Sequence, residues 1–349
     1  LKIKSFFVCV AVRIIDIAGW TDTWFAKLGE LFNIAVLSRK WGAVNKPYRG
    51  VEIIARRVQK CPDKIVVKAA DIDYDTLLTH CDIRKEDYDT TNLLQAVMSL
   101  FNLKNLKGCW ELTLSSPFQP GASVGTSAAV AVAMIEILCQ LPGIEKKYSN
   151  AEVAWLAFIA ETKVMGGQSG TQDQFAAAYS CGANFYKVRD KQKTTVFPIK
   201  VARWIWTMLE RRLMTVFVGQ HNSSETHEMV IKELENDTEN ARLKGFIGLA
   251  KRARKALRKG DLVELGSVMI ENTNVQKTLH PDLVGQHHQS VIDLALQHGC
   301  IGYKVNGAGG KGGSVTLLFR SRRAACTFYE HALESLPADF IYFEHKIAA

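Results

Sequence analysis

The residues Pro120-Gly121-Ala122-Ser123-Val124-Gly125-Thr126-Ser127-Ala128-Ala129 run without interruption into an apolar, alanine-rich stretch. Glycines and small side chains let backbone amides converge on a ligand. The first turn of a helix has amides with no intrahelical partner and carries the positive end of the helix dipole. A glycine loop entering a helix is therefore suited to an anion such as phosphate. Ser127 adds a hydroxyl able to face a metal ion held by phosphates. Taken alone, the stretch serves equally as a turn shaped by Gly121 and Gly125, with Thr126 or Ser127 capping a structural helix. It is not the Walker sequence, because no GK[ST] follows at the required spacing.

Gly170-Thr171-Gln172-Asp173-Gln174-Phe175 puts one carboxylate in a turn before a small-residue segment, and Glu161 lies twelve residues upstream. One carboxylate can orient a hydroxyl and accept its proton while the other helps to hold Mg²⁺. Phosphoryl transfer needs those parts, since it rests on positioning and charge neutralisation. By itself Asp173 reads better as a helix N-cap than as a catalytic group. A third segment, Lys304 to Ser314, contains GxGxxG from Gly307 to Gly312. A dinucleotide fingerprint requires a helix after those glycines. Here Ser314-Val-Thr-Leu-Leu-Phe319 follows, which is strand chemistry, so the glycines serve the close approach of two strands and a neighbouring loop.

The elements that must position these residues read as a mixed α+β chain in two layers. Strands are expected over Ile3 to Ile17, Gly50 to Arg57, Lys64 to Ala69 and Gly108 to Ser115, with a turn at Gly19 to Asp22 and a break at Asp71 to Tyr74. Helical periodicity covers Asp89 to Leu103, Gly125 to Leu141 and Asn150 to Lys163. Asn184 to Val188 and Thr194 to Ile199 read as a hairpin, and Leu213 to Val218 as a strand. The second half is helical from Ser224 to His298, then strand-loop-strand, then a terminal helix and strand. The character changes between about 185 and 210, which divides the chain into residues 1–200 and 201–349.

At 349 residues, two domains sharing a cleft are expected. The densest basic run, from Lys251 to Lys259, has helical spacing and no interleaved aromatics. It therefore reads as a solvated helix face, and the net charge of +9 implies no nucleic-acid partner. The eight cysteines form no CxxC pair, which suits reduced thiols in a cytoplasmic protein. The apolar opening from Phe6 to Val12 is halted by Arg13 and Asp16 and is too short to span a bilayer, so no membrane partner is expected.

In order and spacing, the three segments resemble the motifs of the GHMP kinases, the superfamily of galactokinase, homoserine kinase, mevalonate kinase and phosphomevalonate kinase. Arg13 to Thr23 and Ser223 to Glu228 are similar to the sugar-1-kinase branch, which includes L-fucokinase-like and D-glycero-D-manno-heptose 7-phosphate kinases. The resemblance implies an α+β fold with an N-terminal domain like domain 2 of ribosomal protein S5 and a ferredoxin-like C-terminal domain. It implies ATP over Pro120, Gly121, Ala122, Ser123, Val124, Gly125, Thr126 and Ser127, with Mg²⁺ at Ser127 and Glu161. Asp173 matches the catalytic aspartate and Arg13 the basic residue that supports it. The acceptor, a sugar or sugar phosphate taking phosphate on its anomeric hydroxyl, would face Trp20, Thr21, Asp22, Gly170, Thr171, Gln172, Ser224 and His227. Another small alcohol, or a degenerate sugar sensor, is the alternative implication.

Two departures carry structural expectations. The branch pattern R-I-D-x-A-G-G-x-T-D is written here with an extra Ile before Asp16 and one glycine fewer. In a strand that shift turns Asp16 to the opposite face or forces a bulge. Ser123 stands where the family has glycine, and is expected at negative φ.

Overall fold

The apolar opening makes two strands, not the single one expected from Ile3 to Ile17. It splits at Ala11, whose amide donates to Ser180 Oγ at 2.5 Å. β1 (Ser5–Val10) and β2 (Val12–Ile17) thus enter different sheets. The computed structural model describes residues 5–26, 29–59, 64–69, 74–79, 92–189, 193–220, 223–234 and 241–348. The expected break at Asp71 to Tyr74 and the start of the helix at Asp89 lie largely outside them.

The chain continues through β3 (Gly29–Lys40), β4 (Val51–Val58), β5 (Lys64–Ala69), β6 (Tyr74–Thr79), α1 (Leu93–Met98) and β7 (Cys109–Ser115). Next come α2 (Thr126–Leu138), α3 (Asn150–Ile159), α4 (Gln172–Ala178) and the hairpin β8 (Ala183–Arg189) and β9 (Lys193–Ile199). The remainder is α5 (Arg203–Glu210), β10 (Leu213–Gly219), α6 (Ser223–Leu234), α7 (Leu249–Lys259), α8 (Leu262–Leu279) and α9 (Gln286–Gln297). It ends with β11 (Cys300–Val305), β12 (Gly313–Phe319), α10 (Arg322–Ser335) and β13 (Ile341–Ile347).

One sheet has the order β1-β4-β7-β5-β6, with only the β5–β7 pair parallel among these neighbours. The other runs β11-β12-β10-β13-β3-β8-β9, with β2 added on β3. Its centre is the antiparallel pairing of β13 with β3, from Phe343 opposite Lys40 to Ile347 opposite Val36. The second sheet therefore passes without a gap from strands before residue 200 to strands after it. His345 pins this junction: its Nδ1 lies 2.8 Å from Ser38 Oγ on β3 and its Nε2 2.8 Å from Thr215 Oγ1 on β10. Burial pushes its pKa down to about 3.

α2 explains how the glycine loop is held. It has no polar stripe, and nine of its thirteen residues are buried against α1, α3, α4, β1 and β4. A helix apolar on all sides belongs inside a domain, and its alanines let these neighbours approach closely. α3 starts from a Ser149–Glu152 capping box and ends in a wide π-helical turn at Ala160–Val164. That turn carries Glu161 toward the head of α2.

The basic run on α7 is a solvated face with partners. Lys251 pairs with Glu30 at 2.9 Å, Arg252 with Glu264 and Glu271, and Arg254 lies over the Phe185 ring. Among the described residues no helix is long and apolar enough to cross a membrane. The six described cysteines are free thiols.

Candidate active site

The loop before α2 is a chain of alternating turns. Gly121, Ser123 and Gly125 have φ of 75°, 59° and 73°, while Ala122 and Val124 between them are fully buried. The carbonyls of Ala122, Ser123 and Val124 accept from Ser314 Oγ, Arg13 Nη1 and the Arg13 amide at 2.6, 2.6 and 3.0 Å. In a trans peptide the next amide points opposite to the carbonyl. The amides of residues 123 to 125 thus point away from these three contacts. Ser123 is not at negative φ as its side chain led one to expect. Delivering its carbonyl to Arg13 requires the left-handed conformation, at a cost of about 1–3 kcal/mol. Ser123 Oγ and Thr126 Oγ1 are buried and find no partner among the described residues.

Gly121, Ala122, Ser123, Gly125, Thr126 and Ser127 line a cleft of about 1220 Å³ together with Glu161 and Gln174. Pro120 faces an adjoining apolar cavity of about 690 Å³ with Leu93, Leu114, Phe118 and Val130, which shares Gly121, Thr126 and Ser127 with the cleft. Glu161 accepts from Gln174 Nε2 and is hydrogen-bonded to the Ser127 hydroxyl. Burial pushes its carboxyl up to about 7, against the pull of those two bonds. Two hard oxygen donors thus meet at the head of α2.

Arg13 on β2 grips Asp173 on α4 with two parallel bonds, Nε to Oδ1 at 2.8 Å and Nη2 to Oδ2 at 3.0 Å. This fork geometry is the strongest arrangement of a guanidinium and a carboxylate. Burial works against the Arg13 charge, but Asp173 and Asp16 outweigh it and hold its pKa above the ordinary value. A Cβ on Gly125 would stand 3.2 Å from Arg13 Cγ and 3.5 Å from Asp173 Cγ. Glycine there lets the loop lie directly on the pair.

The extra isoleucine is absorbed by a bulge. Ile14 pairs with Ile34 and Ile17 with Phe32, so Ile15 and Asp16 together oppose Asn33. Ile15 has φ 53° and is fully buried, a conformation rare for a β-branched residue. The kink turns Asp16 toward the C-terminal glycine segment, where its Oδ2 accepts from the Gly307 amide at 2.9 Å. Arg13 Nη1 is 3.6 Å from Oδ1, and Lys304 Nζ 3.6 Å from Oδ2. Burial brings the Lys304 pKa down to about 8, although Asp16 opposes it.

The Lys304-to-Ser314 segment is the strand-loop-strand between β11 and β12, as its glycines implied. A Cβ would be 3.1 Å from Ser123 Cβ at Gly307, 2.0 Å from the Leu283 carbonyl at Gly309 and 2.1 Å from the Gln220 carbonyl at Gly312. Lys311 is exposed.

A second cavity, of about 450 Å³, opens on the other side of the Arg13–Asp173 pair. Trp20, Asp22, Gly170, Gln172 and His227 all line it. Asp22 Oδ2 accepts from the Gln172 amide at 2.7 Å, and a Cβ at Gly170 would fall 2.0 Å from that oxygen. Burial pushes the Asp22 carboxyl up to about 7, with the Gln172 amide opposing. Trp20 and His227 meet edge to face at 5.3 Å, and His227 Nδ1 is 2.9 Å from the Gln168 carbonyl. Burial lowers the His227 pKa. Thr21 and Thr171 turn aside: their hydroxyls bond to the Ala18 carbonyl and Thr194. The Ser224 side chain lies outside the described residues.

Sequence reasoning named neither Gln174 nor Lys304 as part of the site. Gln174 was adjacent to Asp173 and legible by position. Lys304 was not, because its link to Asp16 spans almost the whole chain.

Residues 92–181 match the family model of the GHMP kinases N terminal domain. The chain is 28% identical over 209 residues to the bifunctional fucokinase/GDP-fucose pyrophosphorylase of Arabidopsis thaliana, covering 58% of this chain and 19% of that protein. It is 23% identical over 193 residues to the D-glycero-alpha-D-manno-heptose 7-phosphate kinase of Campylobacter jejuni subsp. jejuni serotype O:2, covering 55% and 56%. The matches thus span under two thirds of either curated relative. A solved D-glycero-D-manno-heptose 1-phosphate kinase from Bacteriodes thetaiotaomicron superposes with a TM-score of 0.67 at 16% identity, covering 99% of this chain and 98% of that one.

Proposed function

From a chain with the GHMP kinase fold and a GHMP kinase N-terminal domain at residues 92–181, we propose an ATP-dependent kinase that phosphorylates a hydroxyl of a sugar or sugar phosphate. One observation carries the reading: the Arg13–Asp173 pair lines both the cleft over the glycine loop and the cavity beyond it. A transferred group held on one side has its acceptor within reach on the other.

In this reading the amides of residues 123 to 125 and the head of α2 cradle the triphosphate. The unpartnered Ser123 and Thr126 hydroxyls gain phosphate oxygens as acceptors, and the apolar cavity by Pro120 receives the base. Ser127 and Glu161 fit a hard divalent ion such as Mg²⁺. Among the described residues no cluster of three His, Cys, Asp or Glu could hold a metal alone, so phosphate oxygens complete the set. Bound there, Mg²⁺ would neutralise phosphate charge.

Asp173 accepts the proton of the attacking hydroxyl. A bond forms between that oxygen and the γ-phosphorus, the bond from γ-phosphorus to the bridging oxygen breaks, and its electron pair leaves with ADP. Arg13 fixes the Asp173 carboxylate in one orientation. Asp22, Gln172, Trp20 and His227 surround the acceptor. Residues 1–200 form the nucleotide-binding half, and residues 201–349 supply the Gly307 loop that closes the site.

The test is Asp173→Asn. ADP release with ATP, Mg²⁺ and a panel led by mannoheptose 7-phosphate, fucose and galactose should fall at least roughly 100-fold. ATP affinity should stay within about threefold, because Asp173 is not part of the phosphate cradle. Turnover like that of the unaltered protein would exclude the assigned role.

A further inference from the structure

Two carboxylates compete for one guanidinium beside the glycine loop. Arg13 forks Asp173 through Nε and Nη2 and gives Nη1 to the Ser123 carbonyl. Asp16 Oδ1 lies 3.6 Å from that same Nη1 and, buried, has no hydrogen bond among the described residues. Asp16 and Arg13 are both buried, so water does little to weaken their attraction. With Arg13 as its sole cation, Asp16 would draw Nη1 off the Ser123 carbonyl and loosen the fork on Asp173.

Lys304 supplies a second cation. It is 1% exposed, and its Nζ lies 3.6 Å from Asp16 Oδ2. The same Nζ donates to Gln276 Oε1 at 3.0 Å and to the Val305 carbonyl. Burial brings its pKa down to about 8 although Asp16 opposes, so the ammonium form prevails at neutral pH. Positive and negative groups thus alternate from Lys304 through Asp16 and Arg13 to Asp173, and buried charges persist when paired in this way.

Gln276 ties the lysine to the glycine segment. Its Nε2 donates to the Gly307 carbonyl at 3.1 Å, while the Gly307 amide donates to Asp16 Oδ2 at 2.9 Å. Lys304, Gln276, Gly307 and Asp16 therefore close a ring that uses both backbone polar groups of Gly307. Gly307 lines the cleft and the second cavity alike, and a Cβ there would stand 3.4 Å from Arg13 Nη2. Lys304 itself lines neither space, so whatever it does for the reaction it does through these neighbours.

Resting on the kinase reading above, we propose that Lys304 is a positioning residue for phosphoryl transfer: by balancing Asp16, it keeps the Arg13 fork on Asp173.

The experiment separates charge balance from packing. Met fills most of the volume of the Lys stem, and Asn in place of Asp16 keeps an oxygen for the Gly307 amide. Lys304→Met and the double variant Lys304→Met/Asp16→Asn are compared with the parent at pH 7, by arginine side-chain ¹⁵N NMR and by ADP release with ATP and Mg²⁺. The Arg13 Nε–H signal, assigned by its loss in Arg13→Lys, should shift or broaden in Lys304→Met. There kcat should fall at least roughly tenfold while the KM for ATP stays within about threefold. Removing both charges of a buried pair is far milder than removing one. The double variant should therefore regain the parent signal, and its kcat to within about threefold. An unmoved Arg13 signal or an unchanged kcat in Lys304→Met overturns the inference, as does a double variant no better than the single one. If Lys304→Met does not fold, the double variant decides. Folding with turnover supports charge balance, and failure to fold overturns it, since Lys304 then acts through Gln276 and Val305 alone. The kinase reading is judged apart: if the parent releases no ADP with any acceptor, that reading fails, and the Arg13 signal decides this inference by itself.

Discussion

Ser123 shows how one residue can be strained and still be well placed. Its φ of 59° and its hydroxyl, without a partner among the described residues, are both unfavourable. Glycine would adopt that backbone freely and leave no orphaned hydroxyl. Ser123→Gly should therefore stabilise the protein without ligand by about 1 kcal/mol, after allowance for the greater freedom of the unfolded chain. Urea unfolding checks this, and a loss of stability would show that the hydroxyl has a partner after all. The same substitution should weaken ATP binding if the hydroxyl serves a phosphate oxygen. The local chemistry of the loop, from Gly121 to Ser127, was legible because each part lies next to the others in the sequence. The long-range contacts of Asp16 with Gly307 and Lys304 were not, since no spacing announces a partner 291 residues away.

At the scale of elements, the extra Ile before Asp16 announced a disturbance in β2, and the structure resolves it as a bulge with Ile15 in the left-handed region. β3 escaped sequence reading altogether. Its residues, GELFNIAVLSRK, lack alternation because most of them are buried on both faces, and a strand covered twice loses the period of two. That strand carries half of the junction pinned by His345. The folded imidazole has a pKa of about 3, whereas an unfolded one titrates near 6.5. Between those values the unfolded chain takes up a proton that the folded chain refuses, so stability falls as pH drops from about 6.5 toward 3. The slope from this one group approaches about 1.4 kcal/mol per pH unit. His345→Gln should flatten the acid limb relative to the parent in urea titrations at stepped pH. Superimposable pH profiles would refute a titrating role for His345.

For the whole molecule, residue 200 is not a place where the fold can be cut. β3, β8 and β9 precede it, β10 to β13 follow it, and the β13–β3 ladder crosses it. Residues 1–200 made alone would leave β3 without its β13 partner from Val36 to Lys40, and an uncovered edge strand invites aggregation. The fragment is expected to be insoluble or to lack dispersed amide resonances, whereas co-expression with residues 201–349 should restore a soluble complex. A well-folded, monomeric 1–200 fragment would contradict that view. The α+β class and the order of most other elements were readable from periodicity, but the shared sheet was not, because strand pairing between distant segments leaves no mark in either one.

A continuous sheet under both halves acts as a beam instead of a hinge. The two sides of the cleft cannot swing apart as rigid lobes without tearing main-chain ladders, so substrates must enter through openings already present. Selectivity then resides in a mould that exists before anything arrives, and the empty protein should discriminate among sugars almost as well as the protein already loaded with nucleotide.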